Sequence, residues 1–489
     1  MAGTLSMRFI SVVLVCCAGW GLLLSGCSTT TLPRLNIEVP KLSLPLPIPL
    51  IGRGEGDYQH MSWVKSFDAM HAKMVAEYPY SAQKGVDWDG LYGACRVAVK
   101  AAAATKDEEG YYLAVRRYLY GIPDAQVKIS VDRDVRKKFI GGDYGFSVVQ
   151  LDDGRVFAYE VMPRKPADLA GMEQGAEILL WDDRPVEEAL VYVDLLWVRS
   201  PLATEESRRI ARAYLLTRGP VEHEVAIGFR NPGDASVRVQ RIMAWEHLAS
   251  VEKAMLKAKP VDDAVPLEHQ MVGNVGVIKI NFIGPSIAMP FPIREFDRCM
   301  EFVLAHNAQG VILDLRGNPG GVQALACSFA GYFLEDEVLF SDTAYVGEGD
   351  VLVIDKAASL RTEHQNPHWT GPLVVLVDHR TTGAAEGLAS VLQRNADAKV
   401  VGFSRSQGAY GVTGGGVKLP KGHTVFYPVG AYMDVEGAVL LEGDGDEQGG
   451  VKPDHRVPWT VEALYLRFVE GEDVVMSAAI DVLEAVVQN

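Results

Sequence analysis

The sequence predicts a multidomain α/β protein, and three features of its 489 residues support that class. Apolar residues recur at helical spacing from about residue 61 to residue 120. Short alternating strands replace this pattern from about residue 142. From about residue 265, strand-like runs alternate with helical runs, which indicates a layered α/β core. A chain of this length exceeds what one hydrophobic core usually holds, so we expect several domains.

Composition and charge exclude some functions. The formal net charge is -16, which argues against a phosphate-binding surface and therefore against a nucleic-acid partner. The sequence contains no zinc-like Cys/His spacing, P-loop or dinucleotide fingerprint, so we expect neither a metal nor another cofactor. Cys95, Cys299 and Cys327 are scattered and odd in number. We expect them to be small buried residues rather than a disulfide framework.

Residues 1–27 have the features of a lipoprotein signal peptide. Arg8 precedes an apolar stretch from residue 9 to residue 24, which is too short for a comfortable membrane span. The stretch LSGC ends at Cys27 and resembles the bacterial lipobox, whose cysteine receives a lipid. We expect a lipid anchor in the bacterial cell envelope, at the outer membrane and facing the periplasm, since Ser28 rather than Asp follows Cys27. A plain signal peptide with an incidental cysteine is the alternative.

Two segments follow the signal peptide. Residues 28–56 are Pro-rich and non-periodic, which predicts an extended linker. Residues 57–135 are predicted to form a helical domain. Its first helix has apolar residues on one face, its second begins near Trp88, and its third ends before a Gly-Ile-Pro stop at residue 121. The apolar positions of the first helix are Trp63, Phe67, Met70 and Met74.

Residues 140–245 closely resemble a PDZ domain, through the stretch that begins YGFSVVQLDDGRVFAYEV and continues to GAEILLWDDRPV. The resemblance places Tyr144, Gly145 and Phe146 in the loop that binds a ligand's terminal carboxylate through backbone N–H groups. The implied partners are polypeptide segments or protein C-termini, and a purely structural PDZ domain is the alternative. Polar residues near residue 208 interrupt the pattern and predict an insertion.

Residues 265–489 carry four stretches that resemble the tail-specific, or carboxyl-terminal processing, serine peptidases and the related core of tricorn protease. These stretches are GVILDLRGNPGG at 310–321, PLVVLVDHRTTGAAE at 372–386, AKVVGFSRSQGAYGV at 398–412 and GGVKPDHRV at 449–457. The resemblance implies a crotonase-like α/β core, with polypeptide substrate held between this core and the PDZ-like domain. It also implies oxyanion donors at the backbone N–H groups of Gly320 and Ala384. A tight turn that only permits packing is the alternative for the Gly320 loop.

The sequence departs from this family at the catalytic positions. Members place a nucleophilic serine three residues before the glutamate of the AAE-like motif, where this chain has Gly383. The resemblance places the lysine base and the assisting glutamine of the processing peptidases at Ala409 and Thr413. The histidine base of the tricorn-like branch corresponds to Gln126. Glycine cannot form an acyl-enzyme, and alanine, threonine and glutamine are not useful bases near neutral pH.

Two side chains qualify this interpretation. Glu442 is the candidate for the glutamate that the tricorn-like branch retains, although an acidic insertion follows it. Thr382 with His379 is an alternative nucleophile and base, although His379 has the sequence context of a solvent-facing loop residue. We therefore expect a non-catalytic relative that binds polypeptide segments or C-termini. The alternatives are an active serine-type or threonine-dependent endopeptidase that processes envelope proteins, and a structural role without a PDZ ligand.

Overall fold

The computed structural model describes residues 53–247, 265–443 and 449–487. The predicted signal peptide with Cys27, nearly all of the Pro-rich linker and most of the acidic insertion after Glu442 lie outside the described residues. Within them, no helix combines the length and the apolar character that crossing a bilayer requires.

The described helices and strands are as follows. The α-helices are α1 Trp63–Glu77, α2 Trp88–Thr105, α3 Glu108–Tyr120, α4 Arg133–Ile140, α5 Pro166–Leu169, α6 Val186–Val191, α7 Glu205–Leu216, α8 Pro292–Ala305, α9 Gln323–Ala330, α10 Ala384–Asn395, α11 Val461–Tyr465 and α12 Val474–Val487. The strands are β1 Gly56–Asp57, β2 Lys128–Ile129, β3 Gly142–Asp143, β4 Phe146–Gln150, β5 Val156–Val161, β6 Glu177–Trp181, β7 Arg184–Pro185, β8 Arg218–Gly219, β9 Glu224–Arg230, β10 Arg238–Met243, β11 Trp245–Glu246, β12 Leu267–Val272, β13 Val275–Ile280, β14 Gly310–Asp314, β15 Leu339–Val346, β16 Leu352–Arg361, β17 Leu373–Leu376, β18 Lys399–Gly402, β19 Gly411–Thr413, β20 Val417–Lys418, β21 Thr424–Phe426, β22 Pro428–Met433 and β23 His455–Arg456.

The three predicted N-terminal helices are present as α1, α2 and α3. On α1, the predicted face buries Phe67, Met70 and Met74 completely. Each of these helices begins after a residue whose side chain accepts a backbone N–H of the first turn. Residues 417–431 join the same hydrophobic core, and β20 and β21 pair with β1 and β2. The helices therefore share one core with a segment from the C-terminal half of the chain.

Residues 140–245 contain a sheet with strand order β10-β9-β6-β5-β4, in which β4 lies at an edge. The predicted interruption near residue 208 is α7, a regular helix that begins after Thr204, whose hydroxyl accepts the N–H of Ser207 at 3.1 Å. Helix α7 packs against the edge strand β4. The polar residues that predicted an insertion lie on this helix, and whether the helix is an insertion in a PDZ-like domain stays a prediction.

The C-terminal part contains a sheet with strand order β12-β13-β14-β17-β18-β23. Strand β12 is antiparallel to β13 and the other pairs are parallel. The carboxyl ends of parallel strands meet at one edge of a sheet, where open α/β sheets usually bind ligands. The loops after β14, β17 and β18 therefore converge, and they contain the residues that the sequence marks as catalytic positions.

The cysteines follow the prediction. Cys95, Cys299 and Cys327 are buried and carry free thiols. Burial raises the pKa of the Cys299 and Cys327 thiols to about 12, which leaves both protonated near neutral pH. These three residues therefore pack as small apolar side chains.

Candidate functional site

Gly383 occupies the N-cap of α10, with φ +58° and ψ -124°. Only glycine adopts such a conformation without strain. A Cβ atom built on Gly383 would have its nearest neighbours at 3.9 Å, at the Ala409 carbonyl oxygen and the Gly320 Cα. The position of the predicted nucleophile therefore lacks a functional group, but a Cβ atom there would fit in van der Waals contact with the two neighbouring loops.

Glu386 fixes the backbone around Gly383. Its carboxylate is completely buried. One oxygen accepts the N–H groups of Gly383 at 2.9 Å and Ala409 at 3.0 Å. The other accepts the Ser406 hydroxyl at 2.6 Å and the N–H of Gly408 at 2.8 Å. Burial raises the pKa of Glu386, and these four donors oppose that shift. Glu386 thus joins the start of α10 to the loop after β18. This role could not be predicted from the motif that contains Glu386.

The glycine-rich loop after β14 packs directly against this turn. A Cβ atom on Gly320 would lie 2.6 Å from the Thr382 carbonyl oxygen and 3.1 Å from the Ala384 nitrogen, so only glycine fits here. The Gly320 N–H donates to the Asn318 side-chain oxygen at 2.8 Å. Against the expectation for an oxyanion donor, that N–H is already engaged within its own loop. Ala384 opens α10, where backbone N–H groups lack helical partners, and its oxyanion role stays a prediction.

Two predicted base positions lie together although they are distant in sequence. The Gln126 side-chain amide donates to the Gly411 carbonyl at 2.8 Å and lies 3.5 Å from the Thr413 hydroxyl. The Gln126 side-chain oxygen is buried and has no hydrogen-bond partner among the described residues. Ala409 is buried and contributes its N–H to Glu386. None of these three side chains can take a proton from a nucleophile near neutral pH.

Glu442 forms a buried ion pair with Lys84. No motif in the sequence marks Lys84 as part of the site. The two charged groups are 2.5 Å apart, and their side chains are 1% and 7% exposed. Burial raises the pKa of Glu442 to about 8, and the nearby charge of Asp124 adds to the effect of burial. Burial opposes the charge of Lys84, but Asp124 and Glu442 outweigh it and raise the pKa of Lys84. Lys84 is thus the cation beside the buried carboxyl groups of Glu442 and Asp124. Because its pKa is raised, it stays protonated near neutral pH and is a poor general base.

Asp124 links this ion pair to the predicted base position. Its carboxylate is fully buried and accepts the Tyr78 hydroxyl at 2.7 Å and the Gln126 N–H at 2.8 Å. Asp124 precedes the residue that corresponds to the base histidine of the tricorn-like branch. Two buried carboxyl groups, those of Asp124 and Glu442, therefore lie on the side of the site where Gln126 occupies the predicted base position.

The alternative nucleophile is not paired with a base. The Thr382 hydroxyl donates to the Pro319 carbonyl at 3.0 Å. No hydrogen bond joins Thr382 to His379 within the part of the chain that the structure describes. Burial lowers the pKa of His379. The predicted solvent-facing position of His379 is only partly right, because its side chain is half-buried.

The three predicted peptide-binding residues lie in the sheet of residues 140–245. The side chains of Tyr144 and Phe146 are 2% and 0% exposed, so both belong to the hydrophobic core. The Tyr144 hydroxyl is hydrogen-bonded to the His223 ring at 2.7 Å. The Gly145 N–H donates to the Asp143 carboxylate at 2.7 Å. In this structure the side chains therefore do not form a ligand surface, and the central N–H of the loop is occupied.

The described residues contain no group of three metal-ligating side chains. The remaining features define a class: a parallel α/β sheet, a glycine-rich loop facing a helix N-terminus, and a buried glutamate that holds the turn between them. Together they place a strand-to-helix turn at the carboxyl end of a mostly parallel sheet.

Residues 274–457 match the model of peptidase family S41, so the chain carries a domain of that family. The predicted resemblance to the carboxyl-terminal processing peptidases is thereby confirmed. The chain is 28% identical over 145 residues to the carboxy-terminal processing protease CtpA of Bacillus subtilis, covering 29% of this chain and 28% of that protein. It is 27% identical over 213 residues to the chloroplastic carboxyl-terminal-processing peptidase 1 of Arabidopsis thaliana, covering 42% and 39%. The match thus spans less than half the length of either relative.

Solved structures resemble a much larger part of the chain. Mature CPAF has a TM-score of 0.63 and 15% identity, covering 87% of this chain and 98% of that one. Mature CPAF complexed with lactacystin has a TM-score of 0.61 and 16% identity, covering 87% and 99%. At this identity the likeness concerns the fold alone. It confirms the mixed α/β, multidomain class, while the PDZ-like and crotonase-like assignments remain predictions.

Proposed function

We propose that this protein is a non-catalytic relative of the carboxyl-terminal processing peptidases that binds polypeptide segments or C-termini. The observation that carries the proposal is Gly383. This residue holds the backbone conformation of the strand-to-helix turn at the predicted nucleophile position, but it has no side chain that could attack a peptide bond.

The loss of the base supports the same conclusion. Ala409, Thr413 and Gln126 occupy the positions that the family resemblance assigns to proton-accepting or assisting residues. In serine peptidases, loss of the nucleophile or its base typically costs about 10^6 in kcat. Here both are replaced, so residual turnover would rest on backbone donors and binding alone.

Two structural features support the binding of a polypeptide. Glu386 holds the turn at Gly383, and the space beside that glycine is not filled by neighbouring side chains. The edge strand β4 offers a second place where an extended polypeptide could add to a sheet. The processing roles printed in the relatives' names make polypeptide the class of ligand to test first.

We further propose that Cys27 carries a lipid that anchors the protein at the bacterial outer membrane, facing the periplasm. The support for this proposal is the LSGC stretch that ends an apolar segment of signal-peptide length. Metabolic labelling with a radioactive fatty acid, compared between the parent and Cys27→Ser, tests the anchor. Equal labelling of the two proteins contradicts it.

The central experiment compares the full-length protein in detergent with its Gly383→Ser and Thr382→Val variants. Each is incubated with an unstructured, fluorescently labelled polypeptide, and cleavage and binding are measured in parallel. We expect binding without cleavage by the parent, and no cleavage by Gly383→Ser, because the base positions are also replaced. Cleavage by the parent that is lost in Thr382→Val would establish the threonine-dependent endopeptidase instead.

A further inference from the structure

The loop before strand β4 is the one that the PDZ resemblance assigns to carboxylate binding. Gly145 has φ +89°, and its N–H donates to a side chain of the loop rather than to a neighbouring strand. Backbone N–H groups in such a turn form an anion-binding concavity. A polypeptide that added to the free edge of β4 would bring its terminal carboxylate to this loop.

A carboxylate of the protein itself already occupies this position. Asp143 is completely buried, and one of its oxygens accepts the Gly145 N–H at 2.7 Å. The same oxygen lies 3.1 Å from the Arg218 guanidinium, whose side chain is only 2% exposed. The His247 ring lies 3.3 Å from the other oxygen. Asp143 therefore has a backbone donor, a buried cation and an imidazole around it, which is the environment that a ligand carboxylate would need.

The local fold fixes Asp143 in this position. Strand β3 lies between β8 and β11, and in this small sheet Asp143 pairs with Arg218 on one side and with Trp245 on the other. The Tyr144 N–H, which directly precedes that of Gly145 in the loop, donates to the Thr217 carbonyl at 3.5 Å. Two successive N–H groups of the loop are thus engaged within the protein.

The carboxyl-terminal end of the edge strand β4 also contacts a side chain of the protein. Arg209 on α7 donates to the carbonyl groups of Gln150 and Leu151, each at 3.2 Å, and lies 3.4 Å from the Asp152 carboxylate. Carbonyl groups at a free strand edge are the acceptors that an added strand would use. Side chains of this protein therefore occupy both ends of β4.

We infer that Asp143 is an internal substitute for the ligand carboxylate and sets the specificity of residues 140–245 against free C-termini. This inference deepens the proposed function and rests on it for its biological meaning: the polypeptides that this protein binds are recognised as internal segments, not through a terminal carboxylate at Gly145. Removal of the Asp143 side chain leaves a buried cation and an unpaired N–H around a space the size of a carboxylate.

Formate, the smallest carboxylate, tests whether the groups around Asp143 bind a carboxylate. The full-length protein, Asp143→Ala and the control Asp153→Ala are unfolded thermally in sodium formate and in sodium chloride at equal ionic strength. Asp153 is a suitable control because it accepts the N–H of Arg155 two residues later but is exposed. We expect formate to raise the Tm of Asp143→Ala only. An equal response of all three proteins overturns the inference.

Folding of the variant does not limit this test. If Asp143→Ala does not fold in chloride, the readout is the yield of refolded protein, which formate should restore. Asp143→Asn keeps the position filled, so it should be destabilised without a response to formate. A formate response of Asp143→Asn equal to that of Asp143→Ala would indicate binding elsewhere and would contradict the inference.

Peptide binding tests the specificity. A pool of peptides with randomised last three residues is offered to each protein, once with a free carboxylate and once with a C-terminal amide. The parent should retain both forms equally, and Asp143→Ala should retain the acid form about tenfold better, the value of one charge-assisted hydrogen bond. A tenfold preference of the parent for the acid form overturns the inference. Absence of polypeptide binding by the parent in the earlier experiment would refute the proposed function but leave the formate result intact.

Discussion

The two sides of the site around Gly383 have retained different properties. On one side, Glu386 holds the backbone of two loops through neutral donors only. On the other side, Lys84, Glu442 and Asp124 form a buried cluster of ionisable groups. The first side preserves geometry and the second preserves electrostatics. Both arrangements are buried and tie distant segments together, so each is expected to stabilise the fold whether or not the site is catalytic.

The largest effect is expected from breaking the charged side. Lys84→Met leaves Glu442 and Asp124 buried without their cation, which should lower the free energy of unfolding by about 3–5 kcal/mol. Urea unfolding measures this change. Lys421→Met is the matched control, because its partner Glu108 is exposed and such surface pairs contribute about 0–1 kcal/mol. A Lys84→Met protein as stable as this control would show that the ion pair does not support the fold.

Breaking the neutral side should cost slightly less. Glu386→Gln keeps the size of the side chain but turns an amide NH2 group toward backbone N–H donors. Because the site is fully buried, we expect a loss of about 2–4 kcal/mol in the free energy of unfolding. Glu462→Gln, at an exposed position, serves as the control for the loss of one negative charge. Equal stability of the two variants would refute the role given to Glu386.

A smaller effect is expected at Gly383 itself. Gly383→Ala places a side chain at φ +58°, which should cost about 1–3 kcal/mol through backbone strain, since the added Cβ meets nothing closer than 3.9 Å. Gly85→Ala is the matched control, with φ +56° and no neighbouring atom within 4 Å. Similar losses in the two variants indicate that the positive φ accounts for the cost. A loss above about 3 kcal/mol at Gly383 would exceed what backbone strain explains and would mean that the added Cβ disturbs the two neighbouring loops.

The effect that is smallest over a single pH unit tests the electrostatic side of the comparison. The pKa of Glu442 is raised to about 8 in the folded protein, so between its unfolded value near 4.5 and about 8 the folded state binds more protons than the unfolded state. The stability of the parent relative to Glu442→Gln should therefore fall as the pH rises through this window, by at most about 1.4 kcal/mol per pH unit. Urea unfolding at several pH values measures the slope. A difference that is constant or increases with pH contradicts the assigned shift.

Much of the fold could be predicted because its signals are local. The periodicity of α1 and the apolar strands β13, β14, β17 and β18 depend on neighbouring residues, and the structure contains all of them. The glycine at position 383 is likewise visible in the sequence, since a short motif gives its position relative to Glu386. The helical form of α7 was not predicted, because its polar residues interrupt the strand pattern without marking a helix by themselves.

The remaining features depend on contacts between distant parts of the chain. Nothing near Lys84 in the sequence indicates its pairing with Glu442, and the loop motif at Tyr144 gives no sign that Asp143 occupies the Gly145 N–H. The N-terminal helices, the alternation of strands and helices in the C-terminal part, and a glycine at the predicted nucleophile position could all be read from the sequence, because these properties follow from local patterns. The partners of the buried charges and N–H groups could not be read from the sequence. They depend on which distant segments the fold brings within a few ångströms of each other.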